Sequence, residues 1–310
     1  MDEINRKETQ KLADKGFAHL KEGEYEEALE ISIKLEKARY SAAFDIGAQA
    51  HAGLSEYDEA INLLRKGLEY APQAWLNWQL LGNYLSDLDK FDEAKKAFER
   101  ALDCEGVWEE SIYLNQVILS NRVNEYSKAL NISKHIKDEE LYLYKTEADI
   151  TALAGLNLLD EAIELANQVL STENYPEKDE DVVSRISAKL GQIYLKQGKS
   201  KSDVRAFALH SLSYCPNNSM LFVLIRDIDN RYSDKAKYYR ALIHCAVPMT
   251  SPDYEDTKGY YSSYDVIAES IEDLLSLVKQ FEEGVVQGGN YSVDEYEILE
   301  ENSKDPCGVL

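Results

Sequence analysis

Apolar residues recur along this chain at helical spacing, in blocks that come in pairs. Between Trp75 and Gly106, Trp78, Leu81 and Leu85 fall on one stripe of a first helix, and Phe98 and Ala101 fall on the facing stripe of a second. Phe91 opens the second helix, where Asp92 and Glu93 suit the positive N-terminal end. Gly82 and Ala94 are small, which lets two antiparallel helices approach closely. Pro72 ends the preceding block, where a helix must stop.

The phrase Phe91-Asp92-Glu93-Ala94 has counterparts up and down the chain. They are Tyr25-Glu26-Glu27-Ala28, Tyr57-Asp58-Glu59-Ala60, Tyr126-Ser127-Lys128-Ala129 and Leu159-Asp160-Glu161-Ala162. The alanines step by 32, 34, 35 and 33 residues. One such hairpin cannot bury its apolar side alone, so neighbours must stack. Ser171 to Asp181 is polar and acidic, contains Pro176, and reads as a loop inserted between repeats. A sixth unit then uses Leu190, Gly191, Tyr194, Gly198, Ala206 and Pro216. A seventh, divergent unit uses Leu224, Tyr232, Ala236, Tyr239, Ile243 and Pro248.

The period and these residues resemble the tetratricopeptide repeat family. The resemblance is clearest in the third unit (Trp78, Leu81, Gly82, Phe91, Ala94, Phe98, Ala101), and the second keeps Phe44, Ala48, Tyr57, Ala60, Leu64, Gly67 and Pro72. The first keeps Gly16, Tyr25 and Ala28, whereas Val117 and Ile150 replace the small residue in the fourth and fifth. The fold expected is mainly α, an α-α superhelix of about seven hairpins over residues 1–249, with a concave inner face.

The pattern changes after Pro248. A linker is expected over 250–258, a small β-α-β unit over 259–303 and a tail over 304–310. Tyr260, Ser262, Tyr264, Val266 and Ala268 would share one face of a strand. Ser270 caps a helix through Gln280 with Ile271, Leu274, Leu275 and Val278 on its apolar stripe. Tyr291 to Leu299 reads as a second strand with Tyr296 and Ile298 inward. If the two strands run parallel, the crossover is right-handed. The competing reading is a capping helix with a disordered acidic tail. A two-stranded sheet is marginal alone, so the unit must dock on the last hairpin or self-associate. This ending resembles that of some bacterial repeat proteins, which implies a bacterial source.

Charge narrows the choice of partner. The chain has 57 acidic and 34 basic residues, net −23, which repels phosphate backbones and anionic lipid. Neither nucleic acid nor membrane is expected as a partner; a protein or peptide, including a basic one, is. The acidic opening residues lack an apolar leader, and no run has the length of a membrane span. Cys104, Cys215, Cys245 and Cys307 are widely spaced and read as reduced thiols, which places the chain in the cytoplasm.

Catalytic chemistry finds little support. The phosphate-loop, dinucleotide, nucleophile-elbow and zinc-protease strings are absent. His19, His51, His135, His210 and His244 fall in different repeats, and Asp227-Ile228-Asp229-Asn230 lacks the central glycine and final glutamate of a calcium loop. No metal, cofactor or catalytic residue is therefore assigned. Cys307-Gly308-Val309-Leu310 has the form of a prenylation signal, but acidic residues precede it where basic ones would reinforce membrane binding. Tyr254, Tyr260, Tyr261 and Tyr264 are the one cluster behind an enzymatic reading, and packing accounts for them more simply.

The family resemblance implies protein binding in the concave groove. Carried over by offset, the groove positions are Asp45 and Gln49, Gln79 and Asn83, Leu114 and Ile118, and Arg185 and Gln192. Glutamine and asparagine bond peptide backbone without selecting charge. The Lys, Asn and Arg clamp that some relatives use for a terminal carboxylate is missing, since Ala13, Phe17, Asp45, Gln49, Leu76 and Leu80 stand there. The reading is a non-enzymatic interaction scaffold; the alternative is a sensor whose superhelix changes shape when a peptide binds.

Overall fold

The structure, a computed structural model, describes residues 3–171, 180–212, 218–251 and 258–310. It divides into two compact units, Met1–Ala148 and Asp149–Leu310. The first unit holds α1 (Glu3–Glu22), α2 (Tyr25–Lys37), α3 (Ala42–Gly53), α4 (Tyr57–Tyr70), α5 (Trp75–Asp87), α6 (Phe91–Leu102), α7 (Glu109–Arg122) and α8 (Tyr126–Ser133). A short 3-10 turn follows at Glu139–Leu141, and α9 (Tyr142–Gly155) begins in this unit.

The repeated small residues set the helix spacing. Ala28, Ala60, Ala94, Ala129 and Ala162 are all fully buried. Phe98 lies directly over Gly82: a Cβ built there would stand 2.4 Å from its ring. Gly47 is shut in by Ser32 and Leu63 in the same way. Each hairpin turns through a residue of positive φ, filled in order by Gly23, Ser55, Asp89, Asn124, Asn157 and Gly198. These are the small or locally hydrogen-bonding residues that visit the left-handed region at least cost.

The second unit continues with α10 (Leu159–Leu170), α11 (Glu180–Gln197), α12 (Lys201–Leu212) and α13 (Ser219–Asp229). In α12 the buried position of the repeat is Val204, while Ala206 is exposed, so the anchor expected at Ala206 lies two residues too late. The inserted loop expected at 171–181 falls almost entirely outside the described residues, as do Cys215, Pro216 and Tyr254.

The expected seventh hairpin is corrected by the structure. Its first helix is α13, capped by the Asn218 side chain, but its second half is β1 (Lys237–Ala246). With β2 (Gly259–Ala268), β3 (Asn290–Glu300) and β4 (Gly308–Val309) it forms a four-stranded antiparallel sheet in the order β3-β1-β2-β4. Both β2 and β3 pair with β1, so the two expected strands do run parallel to each other, with β1 between them. The helix between them is α14 (Ile271–Val285), whose start is capped by Ser270 as expected.

One face of the sheet is core. Tyr239, Ala241, Ile243 and Cys245 of β1 pack with Val266, Ala268 and Tyr291 against Phe222 and Ile225 of α13 and Leu274, Val278 and Phe281 of α14. The sheet meets α14 around a buried carboxylate: Glu282 accepts hydrogen bonds from Tyr260 and, at 2.6 Å, from Tyr264. Burial and the Glu282 carboxylate both raise the Tyr260 and Tyr264 phenols above the ordinary tyrosine range. Tyr261 points the other way, against the His244 ring at 4.8 Å. Tyr296, expected inward, is 55% exposed, and Ile298 is half-buried. The last residues are not a free tail: Cys307 is buried beside Ala236 and Ile267, and β4 pairs with Val266 and Ile267.

Candidate functional site

The first helices of successive hairpins in the first unit, α3, α5 and α7, lie side by side and are joined by polar side chains. Gln79 of α5 donates to the Ser111 hydroxyl of α7 at 2.7 Å. Arg122 of α7 reaches back to Ser86 and Asp87 at 3.1 Å and to Asp89 at 3.2 Å, with its guanidinium over the Phe91 ring. Asn121 of α7 donates to the Ala148 carbonyl of α9 at 2.8 Å.

Helical spacing resolves a stripe on each helix. On α7 it runs through Ser111, Asn115, Ile118 and Arg122; on α5 it runs through Leu76, Leu80, Asn83 and Asp87, with Gln79 beside it. Leu76 and Ile118 are exposed, and Leu80, Asn83 and Asn115 are half-buried. The buried Nδ2 of Asn115 and the buried Oδ1 of Asn121 have no hydrogen-bond partner among the described residues. They are a donor and an acceptor withdrawn from solvent, Asn121 on the side that meets α9.

The sequence-chosen residues divide accordingly. Gln79, Asn83 and Ile118 lie on or beside these stripes. Leu114 is only 7% exposed and contributes packing. Asp45 is buried on α3, where its carboxylate accepts from Gln49. Burial raises the Asp45 carboxyl above the ordinary aspartate range, and the Gln49 hydrogen bond only partly offsets it. Arg185, half-buried, and Gln192, exposed, stand two turns apart on α11 in the second unit. Offset counting did not select Asn115, which lies on the α7 stripe, or Asn121 beside it.

One group of metal-competent side chains occurs among the described residues: His19, Glu22 and Glu24 bring one ligand atom each within 4.8 Å of one another. The His19 imidazole pairs with Glu24, and His51 pairs with Glu56 at 2.7 Å one repeat later. The pairing therefore recurs as part of the hairpin turn, joining the end of a first helix to the residue before the second.

Residues 77–103 match the model of the tetratricopeptide repeat. No curated protein matches the chain. Among solved structures, a tetratricopeptide repeat protein from Parabacteroides merdae is similar with a TM-score of 0.56 at 17% identity, over 72% of this chain and 84% of that one. PilF of Pseudomonas aeruginosa is similar with a TM-score of 0.54 at 12% identity, over 74% of this chain and 99% of that one. The Cut9–Hcn1 hetero-tetramer of the APC/C has a TM-score of 0.54 at 17% identity, over 71% of this chain but only 42% of the matched one. At these identities the likeness is one of fold, helices in consecutive tetratricopeptide-type hairpins; in this chain a small antiparallel sheet follows them.

Proposed function

On the premise of a tetratricopeptide repeat array, we propose that this protein is a non-enzymatic interaction scaffold that holds an extended peptide along α5 and α7. One observation carries the reading. Exposed Leu76 and Ile118 stand on the stripes of the adjacent helices α5 and α7 together with half-buried Leu80, Asn83 and Asn115, an apolar and neutral polar strip that an extended peptide can follow. Leu76 and Ile118 supply apolar contact, while Gln79 and Asn83 supply neutral polar contact. The site therefore recognises backbone and apolar side chains rather than a terminal carboxylate.

The partner is a protein or peptide, and the net charge of −23 favours basic flanks beyond the contact. Among the described residues no helix is long and apolar enough to cross a membrane. Cys104, Cys245 and Cys307 are buried, free thiols, which fits the reducing setting of the cytoplasm proposed for it.

The test is selection from an unbiased displayed peptide library, followed by titration of an enriched peptide. Asn115→Ala and Ile118→Glu should each weaken binding about tenfold or more, at unchanged helical content. Enriched peptides that bind the parent and both variants alike would overturn the reading.

A further inference from the structure

β3 ends the sheet. It pairs with β1 on one side, and among the described residues no strand pairs with its other side. It is 11 residues long, and Ser292, Asp294, Glu295, Tyr296, Glu297, Leu299 and Glu300 are exposed along it. Such an edge presents a row of unpaired backbone donors and acceptors, to which an extended peptide can add as a further strand.

The register fixes what that strand carries. Val293, Tyr296 and Ile298 lie opposite the core-facing Ile243, Ala241 and Tyr239, so they share the inner face. Ser292, Glu295 and Glu297 lie opposite His244, Leu242 and Arg240, on the outer face. The inner row at the edge is thus apolar and incompletely covered, and the outer row is acidic. The one cation opposite that row, Arg240, is committed to Asp265 through two hydrogen bonds of 2.8 and 2.9 Å. Among the described residues, Asp294, Glu295, Glu297 and Glu300 enter no ion pair.

We propose that the free edge of β3 binds an extended segment of another protein in which apolar and basic residues alternate. Apolar side chains of that segment cover Tyr296 and Ile298, and its Lys or Arg side chains meet Glu295 and Glu297. A second copy of this chain is the wrong occupant. Pairing of β3 with β3 sets the same acidic row against itself, and like charges facing across a strand pair oppose association. The charge pattern therefore argues against the self-association entertained for this end of the chain. The proposal is independent of the α5–α7 site.

The experiment uses the full chain and three capped octapeptides: alternating Lys–Val, alternating Glu–Val, and alternating Lys–Pro. Lys–Val should slow amide exchange within residues 290–300, with an affinity that falls as salt is raised from 50 to 300 mM. Glu–Val should not bind. Lys–Pro, with equal charge but with every second N–H removed, φ held near −65° at each Pro and no valine side chain for the inner row, should bind at least tenfold more weakly. The double variant Glu295→Lys, Glu297→Lys should lose Lys–Val and gain Glu–Val, while Asn115→Ala should change neither. The proposal is overturned if Lys–Val fails to bind, if protection lies outside 290–300, if Lys–Pro matches Lys–Val, or if charge reversal leaves the preference unchanged. Protection of 290–300 that rises with protein concentration and without peptide would assign the edge to self-pairing instead.

Discussion

At the scale of single residues, the inner helices carry polar groups of two kinds. Asn115 and Asn121 hold buried amide atoms without a hydrogen-bond partner among the described residues. Asp45 is satisfied by Gln49 and belongs to the fold. Its raised carboxyl has a stability consequence whose sign can be worked out. In the folded chain Asp45 keeps its proton to higher pH than in the unfolded chain, so the folded state binds more protons in that interval. Stability contributed by the protonated form is present at low pH and is lost as pH rises through the folded value. Asp45→Asn, which holds the neutral state throughout, should raise the melting temperature at neutral pH and flatten its dependence on pH just above the ordinary aspartate range. A variant that melts below the parent at pH 7 would show that the charged form is stabilised in place. On α5, burial of Tyr84, with the Asp45 charge as a second cause, raises its phenol above the ordinary tyrosine range.

At the scale of elements, each hairpin is defined by what its small residues allow. Gly82 lets α5 and α6 close until Phe98 lies on the backbone. Gly82→Ala should cost about 1–3 kcal/mol by overpacking, read as a lower urea midpoint, and Gly82→Leu should cost at least as much. Adding Phe98→Leu to Gly82→Ala should cost less than the two single changes summed, because the clash is shared. This contact was legible from the sequence, since a repeat writes the same packing requirement again every 32 to 35 residues. β1 was not. It follows α13 at the place where the period demands a second helix. Its buried row, Tyr239, Ala241, Ile243 and Cys245, alternates with Tyr238, Arg240, Leu242, His244 and Ala246, a row in which polar and apolar residues mix. Tyr238, Leu242 and Ala246 in the outer row weaken the period of two, and the repeat period sets a helix at the same place. β4, two residues long, is too short for any pattern. A step of 35 residues from Gln79 carries the expected groove position onto Leu114, which the helix turns into the packing interface.

At the scale of the whole molecule, charge acts on folding as well as on partners. A net −23 spread over 310 residues repels itself, and that repulsion is felt most when salt is scarce. Raising salt from 10 to 150 mM shortens the screening distance from about 30 to about 8 Å. The urea midpoint should rise over that interval. A flat response would mean that local ion pairs such as Arg205–Asp229 and Arg240–Asp265 already balance the acidic excess.

The placement of β1 inside its sheet has a consequence for synthesis on the ribosome. Each helix hairpin can close as soon as its second helix has emerged, because its partners lie within one repeat. β1 cannot. It leaves the ribosome with both flanks unmatched, then β2 arrives, then α14, and only afterwards β3. At about 5–20 residues per second, the β3 flank of β1 stays uncovered for several seconds. During that interval Phe222 of α13 also awaits Phe281, its ring partner from α14. The nascent chain therefore exposes an extended apolar segment after its helical repeats have emerged, and a chaperone that shields such a segment would act in that interval.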